Sequence, residues 1–222
     1  MLVVAVPVKD LANAKQRLMR VLEPGERAAL ARAMLRDVLG ALGAARVGSV
    51  WVVTGDAEVA AIGRAFGSEI LAEAPNRGHT AAVALAQEEA LRRGARAFLT
   101  VPGDVPCLTP AEVRQLAEPA APPLVTLVPS RSGLGTNGVA LWPPDAMPLT
   151  FGEPSFENHR ETARCRGLPC RVLDLTGLGL DVDAPDDLQP LLAHGSGTAS
   201  ARLVAGWRIA ERLAASSAAA RD

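Results

Sequence analysis

Short apolar, β-branched runs alternate with helix-like periodic segments through the first hundred residues. The pattern predicts strands over residues 2–6, 49–54, 69–72 and 97–101, and helices over residues 24–43, 57–66 and 79–93. A helix between consecutive strands allows parallel pairing, with helices covering both faces of the sheet. The sequence therefore predicts an α/β fold, a Rossmann-like, three-layer, doubly wound domain.

The second half of the chain is less regular. Strands are predicted over residues 124–128 and 138–142 with only the polar, glycine-rich loop SRSGLGTN between them. Two strands without an intervening helix indicate a substrate-side insertion or an antiparallel excursion at the sheet edge. A helix over 155–166, a strand over 170–175 and a closing helix complete a domain over residues 1–193. Residues 194–222 are predicted to be an Ala-rich tail, helical in part.

The charge balance and the cysteine and histidine content argue against several classes of function. The chain has 23 Lys and Arg against 24 Asp and Glu, so no broad surface for nucleic acid or an acidic membrane is expected. Three cysteines without CxxC spacing and three scattered histidines do not suggest a zinc site. With no leader-like or membrane-length apolar run, we expect a soluble cytoplasmic protein.

The segment AFLTVPGDVP, residues 97–106, places Asp104 directly after a buried strand. Ligands of open α/β sheets bind at this carboxyl edge, and Gly103 allows the backbone to approach closely. A carboxylate there suits a divalent cation. The alternative is that Asp104 only caps the helix that starts near Pro110.

Asp183 follows a second apolar run, in LGLDVDAPDDL, and precedes another proline-marked helix. Both aspartates belong at the same sheet edge, where two carboxylates would hold Mg²⁺ against a triphosphate. Asp181 is an alternative or additional ligand. Asp186 and Asp187 are expected to provide favourable charge at the start of the last helix.

Lys9, Lys15 and Arg17 follow the first strand. Their charged ends can converge over the carboxyl edge, where a polyphosphate needs neutralising. No Walker pattern accompanies them, so the side chains would supply the charge themselves. The alternative is a solvated basic loop.

The segment APNRGHTAAV brings Asn76, Arg77 and Gly78 to the start of a helix, where a base edge could be recognised. His79 is expected to be a helix cap rather than a general base. In LGTN and FGEPSF, Thr136 and Ser155 lie beside glycines and could hold a carboxylate or phosphate of an acceptor. Ordinary turns without a ligand have the same composition.

The order of VPVKDLANAKQRL, PGDVPCLTPAEV, LGTNGVAL, FGEPSFENH and LDVDAPDDL resembles the 2-phospho-L-lactate guanylyltransferase family of coenzyme F-420 biosynthesis, over about residues 2–193. The resemblance implies the nucleotidyltransferase fold of molybdenum-cofactor and sugar-nucleotide (nucleotide-diphospho-sugar) transferases. GTP would be the donor, and the acceptor a phosphorylated three-carbon acid: 2-phospho-L-lactate, phosphoenolpyruvate or 3-phosphoglycerate.

The roles of the family's site residues are assigned to the matching positions of this sequence. The resemblance implies that Asp104 and Asp183 bind Mg²⁺, with Asp104 also counted among the catalytic residues. Lys9, Lys15 and Arg17 would bind the triphosphate, and Thr136, Gly152 and Ser155 the acid. The nucleotide-binding candidates are Pro7, Thr54, Asn76, Arg77, Gly78 and Gly103.

Such a reaction needs no general base, because a phosphate monoester is largely a dianion at neutral pH. The rival enzymatic interpretation is transfer to a sugar 1-phosphate or a molybdopterin. A nucleotide-binding regulator without turnover is a third. A dinucleotide-dependent oxidoreductase is disfavoured, since no GxGxxG follows the first strand. The family suggests a homodimer, in which Trp207 is a candidate contact unless the tail packs within the subunit.

Overall fold

The computed structural model describes residues 1–11, 14–73, 77–118, 122–209 and 211–212. Its strands are β1 Leu2–Pro7, β2 Ser49–Thr54, β3 Glu69–Ala72, β4 Ala97–Thr100, β5 Leu124–Pro129, β6 Thr136–Trp142 and β7 Cys170–Val172. Its helices are α1 Pro24–Ala45, α2 Ala57–Ala65, α3 His79–Arg92, α4 Pro110–Leu116, α5 Ser155–Cys165, α6 Thr176–Gly179, α7 Leu188–His194 and α8 Ala199–Gly206. Two 3₁₀ turns lie at Gln16–Arg20 and Pro185–Asp187.

The seven strands form one sheet in the order β3-β2-β1-β4-β6-β5-β7. All run parallel except β6, which is antiparallel to both of its neighbours. The mostly parallel α/β sheet with a small antiparallel part is confirmed. Its predicted place at the sheet edge is wrong, because β6 lies between β4 and β5. The strand is apolar on both faces, with Val139, Ala140 and Leu141 fully buried, as suits an interior position.

Alternate residues of the central strand face two separate core layers. In β1, Val4 and Val6 pack with the layer containing α1, whereas Val3 and Ala5 pack with the layer containing α3. Side chains of a strand point to opposite faces in turn, so an uninterrupted apolar run is what a sheet covered on both faces requires. The sheet therefore lies between two layers of helices, which is the expected three-layer arrangement.

The long helix α1 organises one of these layers. It begins at Pro24 after a capping box, in which the side chains of Glu23 and Glu26 each accept a hydrogen bond from the other residue's backbone amide. Its Asp37 carboxylate accepts hydrogen bonds from the backbone amides of Ala199 and Ser200, both at 2.9 Å. The described part of the Ala-rich tail is therefore held on α1, and Trp207 packs partly against the same core.

The strand predicted over 170–175 ends earlier, at Val172, and is followed by the unpredicted turn α6. A Cβ atom on Gly177 would lie 2.2 Å from the carbonyl oxygen of Cys107, so the glycine allows α6 to pack closely on the loop after β4. This contact brings the chain before Asp181 to the carboxyl edge of the sheet. Among the described helices, none combines the length and apolar character needed to cross a membrane.

Candidate active site

Three loops meet at the carboxyl edge of the sheet around one ammonium group. Lys15 Nζ lies 2.6 Å from the Asp104 carboxylate and 2.5 Å from the Asp183 carboxylate. The two aspartates, predicted from separate segments to share an edge, do lie side by side. Lys15, expected with the triphosphate, lies between them.

The Lys15 ammonium is held charged in a nearly closed environment. Its side chain is only 7% exposed. Burial lowers the pKa of Lys15, but the charges of Asp104 and Asp183 outweigh that effect, so the pKa is raised above its ordinary value. Lys15 also has left-handed backbone angles, φ 58° and ψ 41°, which cost a non-glycine residue about 1–3 kcal/mol. The loop thus holds an unfavourable conformation that aims this side chain at the carboxylates.

A cleft of about 470 Å³ opens beside this cluster, at the ends of β1 and β4. The predicted site residues that line it are Pro7, Lys9, Lys15, Gly103, Asp104 and Asp183. Gly103 has a steric role, since a Cβ atom there would lie 2.9 Å from the Val8 side chain. Lys9 and the two aspartates all line this cleft, and we name it the first cleft.

A second cleft, of about 240 Å³, shares His79, Asp104 and Asp183 with the first. The predicted acceptor residues Thr136, Gly152 and Ser155 all line it. The two clefts therefore meet at the paired aspartates.

Arg17 is placed apart from the two lysines. It is exposed and lines a neighbouring cleft together with Arg131, Asp181 and Asp183. The predicted basic trio thus does not share one cleft, because the 3₁₀ turn Gln16–Arg20 carries Arg17 to the other side of Asp183.

The remaining nucleotide-binding candidates are spread more widely. Thr54 is buried at the end of β2 and its hydroxyl accepts the Asp56 amide at 3.0 Å, and it does not itself line either cleft. Arg77 is exposed, and its amide donates to the Glu73 carboxylate at 3.3 Å. Gly78, with φ 99°, is the N-cap of α3. Asn76 lies outside the described residues.

His79 is the first residue of α3 and not its cap, so the expectation that it caps the helix is wrong. Its ring contacts Phe151 edge-on, with the centroids 4.4 Å apart. Burial lowers the pKa of His79, with an opposing contribution from Asp104. A neutral ring packed on Phe151 forms part of the wall shared by both clefts.

Two residues position the acidic loop, and sequence reasoning did not assign them that role. The Asp187 carboxylate accepts the backbone amides of Asp183 at 3.0 Å and Ala184 at 2.8 Å, and it pairs with Arg131 at 2.5 Å. The buried Asn137 amide donates to the Asp181 carboxylate at 3.0 Å. Asp187 was expected only as charge at the start of the last helix. Its carboxylate also accepts the amides three and four residues earlier in the chain, a local contact of the capping-box kind.

Asp181 adds a third acidic group to the cluster. Burial raises the pKa of Asp181, opposed by the Asn137 hydrogen bond and supported by the charges of Asp104 and Asp183. Within the described residues, no three or more His, Cys, Asp or Glu side chains are arranged to hold a metal ion. Of these three described carboxylates, Asp104 and Asp183 are the two whose oxygens share a cation, the Lys15 ammonium.

Comparison with known proteins agrees with this geometry. The profile of the family described as "Guanylyl transferase CofC like" matches residues 2–221. The chain belongs to this family. Phosphoenolpyruvate guanylyltransferases from Sphaerobacter thermophilus and Rubrobacter xylanophilus are 42% and 40% identical, each over 86% of this chain and 93% of that protein. The 2-phospho-L-lactate guanylyltransferase of Methanothermobacter thermautotrophicus is 38% identical over 87% of this chain and 85% of its own length.

Solved structures show the same fold. A Desulfovibrio desulfuricans G20 protein assigned as a nucleotide-diphospho-sugar transferase superposes with a TM-score of 0.74 at 18% identity, over 92% of this chain and 94% of that one. A nucleotidyl transferase from Methanothermobacter thermautotrophicus gives a TM-score of 0.62 at 19% identity, over 87% and 97%. The expected nucleotidyltransferase fold is confirmed, and this guanylyl transferase family member is a nucleotidyltransferase.

Proposed function

We propose that this protein transfers GMP from GTP to a phosphorylated three-carbon acid and releases pyrophosphate, as a step of coenzyme F-420 biosynthesis. The observation that carries the proposal is the meeting of two clefts at Asp104 and Asp183, in a chain of the guanylyl transferase family. One cleft is lined by lysines and suits a triphosphate. The other is lined by small hydroxyl residues and suits a small acid.

Asp104 and Asp183 fit a Mg²⁺ ion. Their oxygens already converge on one cation, and Mg²⁺ takes few protein carboxylates because it keeps positions for phosphate oxygens. Bound there, Mg²⁺ would supply positive charge against the triphosphate. Asp187 holds the backbone of Asp183 and so fixes one of the two ligands.

The lysines share the electrostatic work on the donor side. Lys9 and Lys15 line the first cleft, where their ammonium groups would neutralise the triphosphate and the departing pyrophosphate. Arg17 does not line the first cleft, and the cleft that it lines shares Asp181 and Asp183 with the second cleft. Pro7, Gly78 and Gly103 would shape the nucleotide site through their backbones.

The bond changes require no general base. A phosphate oxygen of the acceptor, already a dianion near pH 7, attacks the α-phosphorus of GTP. The bond from that phosphorus to the bridging oxygen of the β-phosphate breaks, and pyrophosphate leaves with the electron pair. The protein has to hold the two groups in line and neutralise charge, which the junction of the clefts provides.

Thr136, Gly152 and Ser155 would hold the acceptor in the second cleft. Ser155 is also the first residue of the eleven-residue helix α5, whose amino end favours a negative group. We propose phosphoenolpyruvate as the acceptor, because the relatives at 42% and 40% identity are phosphoenolpyruvate guanylyltransferases.

The proposal is tested by incubating the purified protein with GTP, Mg²⁺ and one acceptor at a time. The acceptors are phosphoenolpyruvate, 2-phospho-L-lactate, 3-phosphoglycerate and glucose 1-phosphate, with pyrophosphate release measured and the guanylylated product identified by mass. We expect the fastest release with phosphoenolpyruvate. Release only with the sugar phosphate would replace the proposed acceptor class, and GTP binding without turnover would indicate a regulatory protein.

A further inference from the structure

His159 is a buried imidazole on α5, directly behind the second cleft. It is only 1% exposed, yet both ring nitrogens have hydrogen-bond partners. Nε2 lies 3.0 Å from the backbone nitrogen of Thr150, and Nδ1 lies 3.0 Å from the hydroxyl oxygen of Thr136. The histidine therefore joins the loop after β6 to a predicted acceptor residue.

The two partners fix which nitrogen carries the proton. A backbone amide can only donate, so Nε2 of His159 accepts from Thr150 and is unprotonated. A neutral imidazole then carries its hydrogen on Nδ1, and this hydrogen is donated to Thr136. Burial lowers the pKa of His159 to about 4, so the ring is neutral near pH 7.

The Thr136 oxygen accepts a second hydrogen bond. The Ser155 hydroxyl donates to it at 3.3 Å, so both of its lone pairs are engaged. Within the part of the chain that the structure describes, the hydroxyl hydrogen of Thr136 itself has no acceptor, and Thr136 lines the second cleft. What remains at this position is a single O–H donor available to a bound acceptor molecule.

We propose that His159 is a positioning residue, which makes the Thr136 hydroxyl a fixed hydrogen-bond donor to the anionic group of the acceptor. The inference rests on the proposed function, which places that acceptor in the second cleft. With both lone pairs occupied, the Thr136 hydroxyl can only donate, and its hydrogen bond to an anionic oxygen is stronger than one to a neutral oxygen, since charge-assisted hydrogen bonds are the stronger ones.

The surrounding loop is held so that this arrangement persists. The Phe151 amide donates to the Thr80 hydroxyl at 2.9 Å, which ties the loop to α3. The Phe151 ring lies between two imidazoles, with its centroid 4.4 Å from that of His79 and 5.2 Å from that of His159. Hydrogen bonds and ring packing thus fix the loop from α3 on one side and α5 on the other.

The tautomer can be observed without any assay of activity. The chain has three histidines, and long-range ¹H–¹⁵N spectra of ¹⁵N-histidine protein distinguish the two neutral tautomers of each. His79→Gln and His194→Gln assign the other two signals, so His159 itself stays intact. We expect His159 with its proton on Nδ1 at pH 7. A proton on Nε2, or a charged ring, would overturn the inference.

Kinetics of two substitutions test the effect on the acceptor. His159→Asn places an amide nitrogen near the Nδ1 position and keeps a donor to Thr136, whereas His159→Gln reaches the Nε2 position and loses it. We expect His159→Gln to raise the KM of phosphoenolpyruvate about tenfold or more and His159→Asn to raise it less than about threefold, with the KM of GTP unchanged. A purely structural role would not separate the two variants or the two substrates.

The outcomes also separate this inference from the proposed function. Wild-type protein that transfers no GMP to any acid overturns the proposed function, and the acceptor role of His159 with it, before any variant is measured. Active wild-type protein with equal acceptor KM values in both variants overturns only the role of His159. Should His159→Gln fail to fold, Thr136→Val is compared with Thr136→Ser, and equal acceptor KM values for those two would contradict the donor role.

Discussion

The backbone amide of Val182 donates to the carbonyl oxygen of Asp104 at 3.1 Å, which joins two loops that are far apart in the chain. One loop follows β4 and the other follows α6. The hydrogen bond sets Asp183, the next residue, beside Asp104, so the pairing of the two carboxylates is built into the backbone and does not depend on a bound ion.

This pairing predicts that both carboxylates are needed for turnover. Asp104→Asn and Asp183→Asn each replace a charged ligand by a neutral amide of the same size, so we expect kcat to fall by about 10² or more while the melting temperature changes little. Asp186→Asn is the matched control, because Asp186 is exposed on the same loop. Normal rates in both ligand variants would show that the metal assignment is wrong.

Lys15 is predicted to hold the two carboxylates together until Mg²⁺ and nucleotide bind. Lys15→Asn removes the ammonium while keeping a residue type that tolerates the left-handed backbone. We expect a lower melting temperature without Mg²⁺ and a larger rise on adding Mg²⁺ than in the wild type, as well as a kcat about 10²-fold lower. Arg64→Ala, an exposed change on α2, is the control. An identical response to Mg²⁺ in Lys15→Asn and wild-type protein would contradict this role.

Asp187 is predicted to act on the metal site through Asp183. Asp187→Ala removes the acceptor for two backbone amides of the acidic loop. Since a misplaced ligand weakens metal binding, we expect the Mg²⁺ concentration for half-maximal rate to rise about tenfold, with a smaller change in kcat at saturating Mg²⁺. Asp186→Ala should leave both values near those of the wild type. A fall in kcat alone would place Asp187 elsewhere in the mechanism.

The buried His159 predicts a loss of stability in acid. Burial lowers its pKa from 6.5 to about 4. Between these two pH values the His159 ring is protonated in the unfolded chain but neutral in the folded protein. Stability is therefore fully present above about pH 6.5 and falls as the pH decreases toward 4, with a loss of roughly 2 kcal/mol at pH 5. Urea unfolding at pH 7 and pH 5 measures it, and His159→Gln should show a correspondingly smaller loss. Equal losses in both proteins would contradict a neutral buried His159.

Much of the fold was predictable because the first half obeys local rules. Apolar runs marked the strands, and helices between them required parallel pairing. The position of β6 was not predictable, since its place between β4 and β5 depends on pairing across the sheet and not on its own residues. The early end of β7 likewise depends on α6, which packs on the loop after β4 through Gly177.

The site shows the same division. Asp104 and Asp183 could be paired from sequence because both follow apolar runs that end at one sheet edge. The bridging by Lys15 and the tautomer of His159 could not, since each depends on contacts between distant segments. The support from Asp187 is local, because its carboxylate accepts amides only three and four residues away. His159 is the last residue of the segment FGEPSFENH. The sequence around a single histidine on a helix does not indicate whether its side chain is buried in a positioning role or exposed.

The most direct test is a crystal structure with Mn²⁺ in place of Mg²⁺ and a non-reactive GTP analogue, using the anomalous signal of manganese to locate the ion. The account predicts a peak at about 2.1–2.3 Å from both the Asp104 and Asp183 carboxylates, with the triphosphate along Lys9 and the Lys15 ammonium moved from between the aspartates to the phosphates. A manganese peak away from both carboxylates, or a nucleotide bound outside the first cleft, would contradict it.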